Sequence, residues 1–221
     1  MNGMKFSGLL RQTWAGLRIM IVLTILLGII YPLAVWGVSR VPGLHNAAEG
    51  SIVTQNGQAV GSSLIGLNPV DPNAKKDPAN DKYFHTRASA LADDYSTGDD
   101  LGLGANDDAS SLASNYGEAN PTLVKQVASR KAFIAKREGV SPNQVPADAV
   151  TASGSGVDPD ISPDYADLQI ARVARVNGLT VAQVQQIVAA STDGRALGFL
   201  GEPVVNVLDL NLAIQKAVAA R

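Results

Sequence analysis

One apolar run constrains this chain more than any other feature. Residues Ile19–Val38, IMIVLTILLGIIYPLAVWGV, carry no charge. A helix rises ~1.5 Å per residue, so this run crosses the ~30 Å hydrocarbon core of a bilayer. Lys5, Arg11 and Arg18 precede it with no acid among them, whereas Arg40 and Glu49 follow it and the next basic residue is Lys75. The basic side of a span stays cytoplasmic. The expected layout is therefore a cytoplasmic N-terminus (1–18), a transmembrane helix (19–39), a linker (40–50) and an extracytoplasmic domain (51–221), held at the cell (inner) membrane. A cleaved signal peptide is the competing reading. Its apolar region runs about 7–15 residues and ends at a small-residue cleavage site. This run is longer, contains Pro32 and ends Trp36-Gly37-Val38-Ser39-Arg40, which favours a retained anchor.

The anchor has a candidate partner face. Thr24, Gly28, Pro32 and Trp36 recur every four residues and share one stripe. Small residues at that spacing let a second helix approach, and Pro32 frees a backbone carbonyl that a neighbour or water must satisfy. The plainer explanation is that Gly and Pro are commoner in membrane helices than in soluble ones.

Charge divides unevenly along the 221 residues. Four of the 18 Lys and Arg, and none of the 20 Asp and Glu, lie in the first 40 residues; the remaining 14 bases against 20 acids give the rest a net charge of −6. An acidic domain is a poor partner for nucleic acid. It can raise the local cation concentration, an effect screened beyond ~8 Å at physiological salt. The chain has no cysteine, which removes disulfides, thiolate nucleophiles and Cys-bound metals.

Past the linker, Asn56-Gly57 is a strong two-residue hairpin turn. It joins strands near Ser51–Thr54 and Ala59–Ser63, the second continued by Ser62–Leu67. Residues 92–118 read as an irregular acidic loop with Asp pairs at 93–94, 99–100 and 107–108; no window there supplies an EF-hand pattern. Asn120-Pro121 starts a helix that Gly139 ends. Leu123, Val127 and Ile134 make its apolar stripe, with Lys125, Lys131, Lys136 and Arg137 largely off it. Ser162-Pro163 starts a second helix with Ile170, Val173 and Ala174 inward and Arg172 and Arg175 reaching out, closed by Asn177-Gly178. Thr180 and Gln183 form a capping box for a third, with Val184, Ile187 and Val188 on its buried face. Residues 192–195 turn the chain. A short extended piece at Val204–Val205 and a helix over Val207–Ala219 complete it. A hairpin first and mainly helices later is an α+β arrangement.

Catalytic patterns are sparse. His45 and His85 are the two histidines, too few for the usual catalytic zinc set. Ser153 and Ser155 do not sit in a nucleophile elbow. No Walker A loop occurs. Asp158 and Asp160 precede a helix start, where acids favour the dipole without any catalytic role.

The pieces Tyr31-Pro32, GSSLIG (61–66), YFHTRASA (83–90), TASGSGVDPDISPDYADLQIARVA (151–174) and GEPVVNVLDLNLAI (201–214) fall in one order along the chain. In that order the sequence resembles the C subunit (KdpC) of the potassium-transporting Kdp ATPase. Two positions depart from the family's pattern: Leu67 where Gln is usual and Ala88 where Pro is usual. The resemblance implies a non-catalytic accessory subunit of an ATP-driven potassium importer, beside a potassium-conducting channel-like subunit and a P-type ATPase motor. It also implies a catalytic chaperone that raises the motor's ATP affinity. ATP, Mg and K⁺ would belong to the complex, with no cofactor of the chain's own. Gln169 is the residue to test for nucleotide contact. Thr24, Gly28, Tyr31 and Pro32 in the anchor, and Gly154, Ser155 and Gly156 in the domain, are the expected partner contacts. The alternative is a membrane-anchored binding module or hydrolase acting alone.

Overall fold

The computed structural model describes residues 6–74, 76–92, 101–105 and 110–221. The Asp pairs at 93–94, 99–100 and 107–108 lie outside the described residues. The chain forms two units, one up to Ser51 and one from Ile52 onward.

The first unit is dominated by one helical rod: α1 (Phe6–Ile25), a π-helical turn (Leu26–Ile30) and α2 (Tyr31–Ser39). Gly8–Ser39 is long and apolar enough to cross a membrane, and none of its most apolar part is buried within the chain. The π turn has a local cause. Pro32 has no N–H, and its ring would collide with the carbonyl one turn back in a regular α-helix. Widening the preceding turn relieves the clash, and Tyr31 N–H donates to Leu26 O instead of to Leu27 O. Arg18 stacks over Trp14 at 5.4 Å and Arg40 over Trp36 at 5.3 Å. Such Trp–Arg pairs suit membrane interfaces, and the helical rise between the two Trp residues is about 33 Å. The linker is not featureless: α3 (His45–Ala48) leads to Glu49, whose carboxylate sits 3.6 Å from Arg40 and 3.9 Å from His45.

The second unit opens with the hairpin. Strands β1 (Ile52–Gln55) and β2 (Gln58–Ser62) pair antiparallel around Asn56 (φ 52°) and Gly57 (φ 77°), both left-handed as the turn type requires. The second strand does not continue to Leu67. Ser62 Oγ accepts from Leu64 N–H at 3.1 Å and turns the chain out of the ladder.

Asn120 caps α4 (Pro121–Glu138) by accepting from Thr122 N–H, and Gly139 (φ 70°) ends it. After α5 (Ala147–Val150), a short strand β3 (Asp160–Ile161) precedes α6 (Pro163–Asn177), capped by Ser162 and closed by Gly178. Thr180 and Gln183 form the expected capping box on α7 (Val181–Ala190). Thr192 and Asp193, expected as a turn, instead form strand β4. Strand β5 (Val204–Asn206) runs into α8 (Val207–Ala219). β5 lies between β3 and β4, antiparallel to both.

The core gathers Ile134, Tyr165, Ile170, Val173, Val184, Val205, Leu210 and Ile214 with Phe84. Leu101 and Leu103 join it. The 92–118 segment is irregular where described, but residues 101–104 are buried rather than solvated. Two outward assignments also fail. Arg137 and Arg172 are each 2 % exposed. A single buried carboxylate between them, from Glu138, makes that position tolerable, as described next.

Candidate functional site

Residues 81–89 cross the domain as an extended strap, and among the described residues no strand pairs with it. Its backbone still needs partners once buried, and two side-chain amides supply them. Asn211 on α8 accepts from Phe84 N–H at 2.8 Å and donates to Phe84 O at 2.9 Å. Gln169 on α6 accepts from His85 N–H at 2.9 Å and donates to His85 O at 3.2 Å. Successive residues of an extended chain point their backbone groups to opposite sides, so the two helices grip the strap from either side. Each amide imitates one rung of a β-ladder.

Below the strap lies a buried ionic cluster. Glu138 accepts from Arg137 Nε at 2.6 Å and from Arg172 Nε at 2.9 Å. Arg172 also donates to the carbonyls of Asp81 (2.5 Å) and Tyr83 (2.9 Å) and to Gln169 Oε1 (3.1 Å). Arg137 donates to the Tyr165 hydroxyl at 3.0 Å. Burial disfavours the Arg137 cation, but Tyr165 and Glu138 outweigh that and raise its pKa. Burial raises the Tyr165 phenol, with Arg137 opposing.

His85 belongs to the same cluster. Asn68 gives its amide N–H groups to the carbonyls of Leu103 (2.9 Å) and Gly104 (2.7 Å). Its oxygen therefore faces His85 Nδ1 at 3.0 Å and assigns the proton there. His85 Nε2 stands 3.6 Å from Asp81 Oδ2. Burial, then Arg137 and Arg172, push the imidazole well below its ordinary pKa, so it is neutral. A buried neutral imidazole committed to an amide oxygen is a structural group, far from the exposed base that a serine hydrolase requires.

The strap's other end holds the GSG turn. Ser153 N–H donates to Ala88 O at 2.7 Å. Ser153 Oγ accepts from the N–H groups of Gly156 (2.8 Å), Ser155 (3.3 Å) and Asp158 (3.3 Å). Ser155 Oγ donates to Asp158 Oδ1 at 3.0 Å, and Asp158 Oδ2 takes Arg87 at 2.8 Å. Gly156 has φ 79°, and a side chain there would meet Leu112 O at 2.5 Å. Gly154 is open. Of the expected contact residues in this turn, Gly154 is exposed, Ser155 half-buried and Gly156 buried.

GSSLIG docks beside this turn. Gly66 N–H donates to Val157 O at 2.7 Å, and a Cβ on Gly66 would stand 2.1 Å from Asp158 O. Asn206 donates to Ser63 O at 2.9 Å and to Asp160 at 3.1 Å. Burial raises the Asp160 carboxyl, with Asp193, Asp158 and Asp209 adding to the shift. Leu67 lines a cleft of about 260 Å³ together with Gln55, Val60, Tyr83, Leu208 and Leu212. Ala88 is fully buried.

Gln169 is the residue expected at a nucleotide contact. It is buried, with both its amide atoms bonded to His85 and Arg172. The sequence pattern marks none of Asn68, Asp81, Glu138 and Asn211, and it puts Arg137 and Arg172 outside. The available signal was a polar residue inside an apolar stripe: Gln169 stands between Tyr165 and Val173, and Asn211 between Val207 and Ile214. Among the described residues no group of three or more His, Cys, Asp or Glu is arranged to hold a metal. In the helical rod Thr24, Gly28, Tyr31 and Pro32 all face out, and Thr24 Oγ1 donates to Met20 O at 2.8 Å.

The comparisons agree with one another. A family model described as the c chain of the K⁺-transporting ATPase, KdpC, matches residues 13–216. The potassium-transporting ATPase KdpC subunit of Streptomyces avermitilis is 46 % identical over 224 residues, covering 95 % of both chains. That of Kineococcus radiotolerans is 44 % identical, covering 97 % of this chain and 98 % of its own. That of Koribacter versatilis is 38 % identical, covering 87 % and 88 %.

Proposed function

Because the chain belongs to the KdpC family, the c chain of the K⁺-transporting ATPase, we propose that it is a non-catalytic accessory subunit of an ATP-driven potassium importer. Its partners are a potassium-conducting channel-like subunit and a P-type ATPase motor. Its helix anchors it in the cell membrane with the N-terminus cytoplasmic, and its second unit works outside. The observation that carries this reading is the extent of the match, which begins inside the apolar helix and ends inside α8. Both the anchor and the domain are thus accounted for by one family.

The chaperone role belongs to the same proposal. ATP is cytoplasmic, and the Gln169 amide is engaged inside the domain. A rise in the motor's ATP affinity then passes through the assembled complex and not through contact of this domain with nucleotide. The chain contributes surface and stability, while ATP, Mg²⁺ and K⁺ act on its partners. Mild-detergent purification of the tagged full-length chain from its native membrane tests this. We expect a P-type ATPase subunit and a large potassium-channel-like subunit to co-purify. Recovery of the chain alone, with both candidates present in that membrane, would overturn the proposal.

A further inference from the structure

The π turn and Pro32 together leave the helix short of backbone donors near the middle of the uncharged run between Arg18 and Arg40. In a regular helix Leu27 O would accept from Tyr31 N–H, but that N–H donates to Leu26 O. The donor one residue further on would be Pro32, which has none. The hydroxyl nearest along the helix, Thr24 Oγ1, is already given to Met20 O. Hydrocarbon offers no hydrogen bond, so an open carbonyl at that depth takes its donor from a neighbouring helix or an ordered water.

We propose that the Leu27 carbonyl is the docking point for a membrane-spanning helix of another subunit, which presents a side-chain hydroxyl or amide donor to it. This rests on reading the chain as a subunit of a membrane complex. The surface around the carbonyl fits a protein neighbour. Met20, Leu23, Thr24, Leu27 and Tyr31 follow at helical spacing on one face, and a shallow notch is lined by Met20, Leu23, Thr24 and Leu27. Beside it, a side chain on Gly28 would meet nothing closer than Thr24 Cγ2 at 4.0 Å. The backbone is therefore bare where the donor must approach, as at close helix–helix contacts.

The chain has no cysteine, so single cysteines report contact without interference. Thr24→Cys, Gly28→Cys and Tyr31→Cys, each carrying a thiol-attached benzophenone that inserts into a neighbouring C–H bond on illumination, in the full chain within its native membrane, should cross-link to an apolar membrane segment of a co-purifying transporter subunit. Val22→Cys, Ile25→Cys and Ile29→Cys, on the opposite face, should not. The cross-linked peptide identifies the facing Ser, Thr, Asn or Gln. Pro32→Ala restores an N–H to the helix and should lower the yield of assembled complex about threefold to twentyfold, the range for one interhelical hydrogen bond. Removing the facing donor should give a loss that does not add to that of Pro32→Ala. Cross-linking only between copies of this chain, only from the opposite face, or labelling of the Leu27 face by a water-soluble maleimide would each overturn the proposal. If the wild-type chain brings no subunit at all, the parent reading fails instead.

Discussion

Glu138 is the residue on which the buried charges depend. Its carboxylate accepts from both Arg137 and Arg172, and all three are shielded from water. Breaking a buried ion pair by neutralising one partner costs about 3–5 kcal/mol, because the remaining charge stays buried. Glu138→Gln should therefore destabilise the chain by about that amount, measured by urea unfolding. His85 sets a second expectation. Its folded-state pKa lies below the ordinary 6.5, so folding favours the neutral form. Its stabilisation is complete above that value and is lost as pH falls below it, with a slope of up to about 1.4 kcal/mol per pH unit for one proton. Melting temperatures between pH 7 and 5 should fall for the parent chain and fall less for His85→Gln. None of this was legible from composition. Arg137 and Arg172 read as solvent-facing because a charged residue beside an apolar stripe usually is; Glu138 adjoins Arg137 in sequence, but only the fold brings it to Arg172 and brings Tyr165 to Arg137.

At the scale of elements, the caps of α4, α6 and α7 were legible, whereas the Asn206 cap of α8 and the burial of irregular chain were not. Asn120, Ser162 and Thr180 each begin a helix where their side chains accept from the first turn, and Gly139 and Gly178 each end one in the left-handed conformation. These are local rules. The strap at 81–89 and the buried residues 101–104 have no period to read, because their partners are side chains and carbonyls far along the chain. Two glycines separate structural from incidental roles. Gly66→Ala places a methyl 2.1 Å from Asp158 O and should cost about 2–3 kcal/mol or more. Gly154→Ala meets nothing and should stay within about 0.5 kcal/mol of the parent. Equal losses from the two changes, in the same denaturation assay, would refute the account of GSSLIG docking on residues 157–158.

At the scale of the whole molecule the two units divide the work. The second has its own core and closes its own polar network, so a fragment of residues 52–221 should unfold cooperatively with a midpoint close to that of the full chain. It should fail to co-purify the partner subunits, since it lacks the helix that carries Leu27. A molten fragment, lacking a cooperative transition, would show the domain to need its anchor. The order in which the network closes has a consequence for biosynthesis. Phe84 and Asn211 are 127 residues apart, and the central strand β5 of the three-stranded sheet is made last, together with α8. A ribosome delivers the strap long before it delivers either of the amides that grip it. Until residue 211 has emerged, the backbone of Phe84 lacks its amide partner and stays open to water and to proteases. A message truncated in α8 would thus yield a chain that reaches its membrane and is then degraded, and the cell would keep only copies translated nearly to the end.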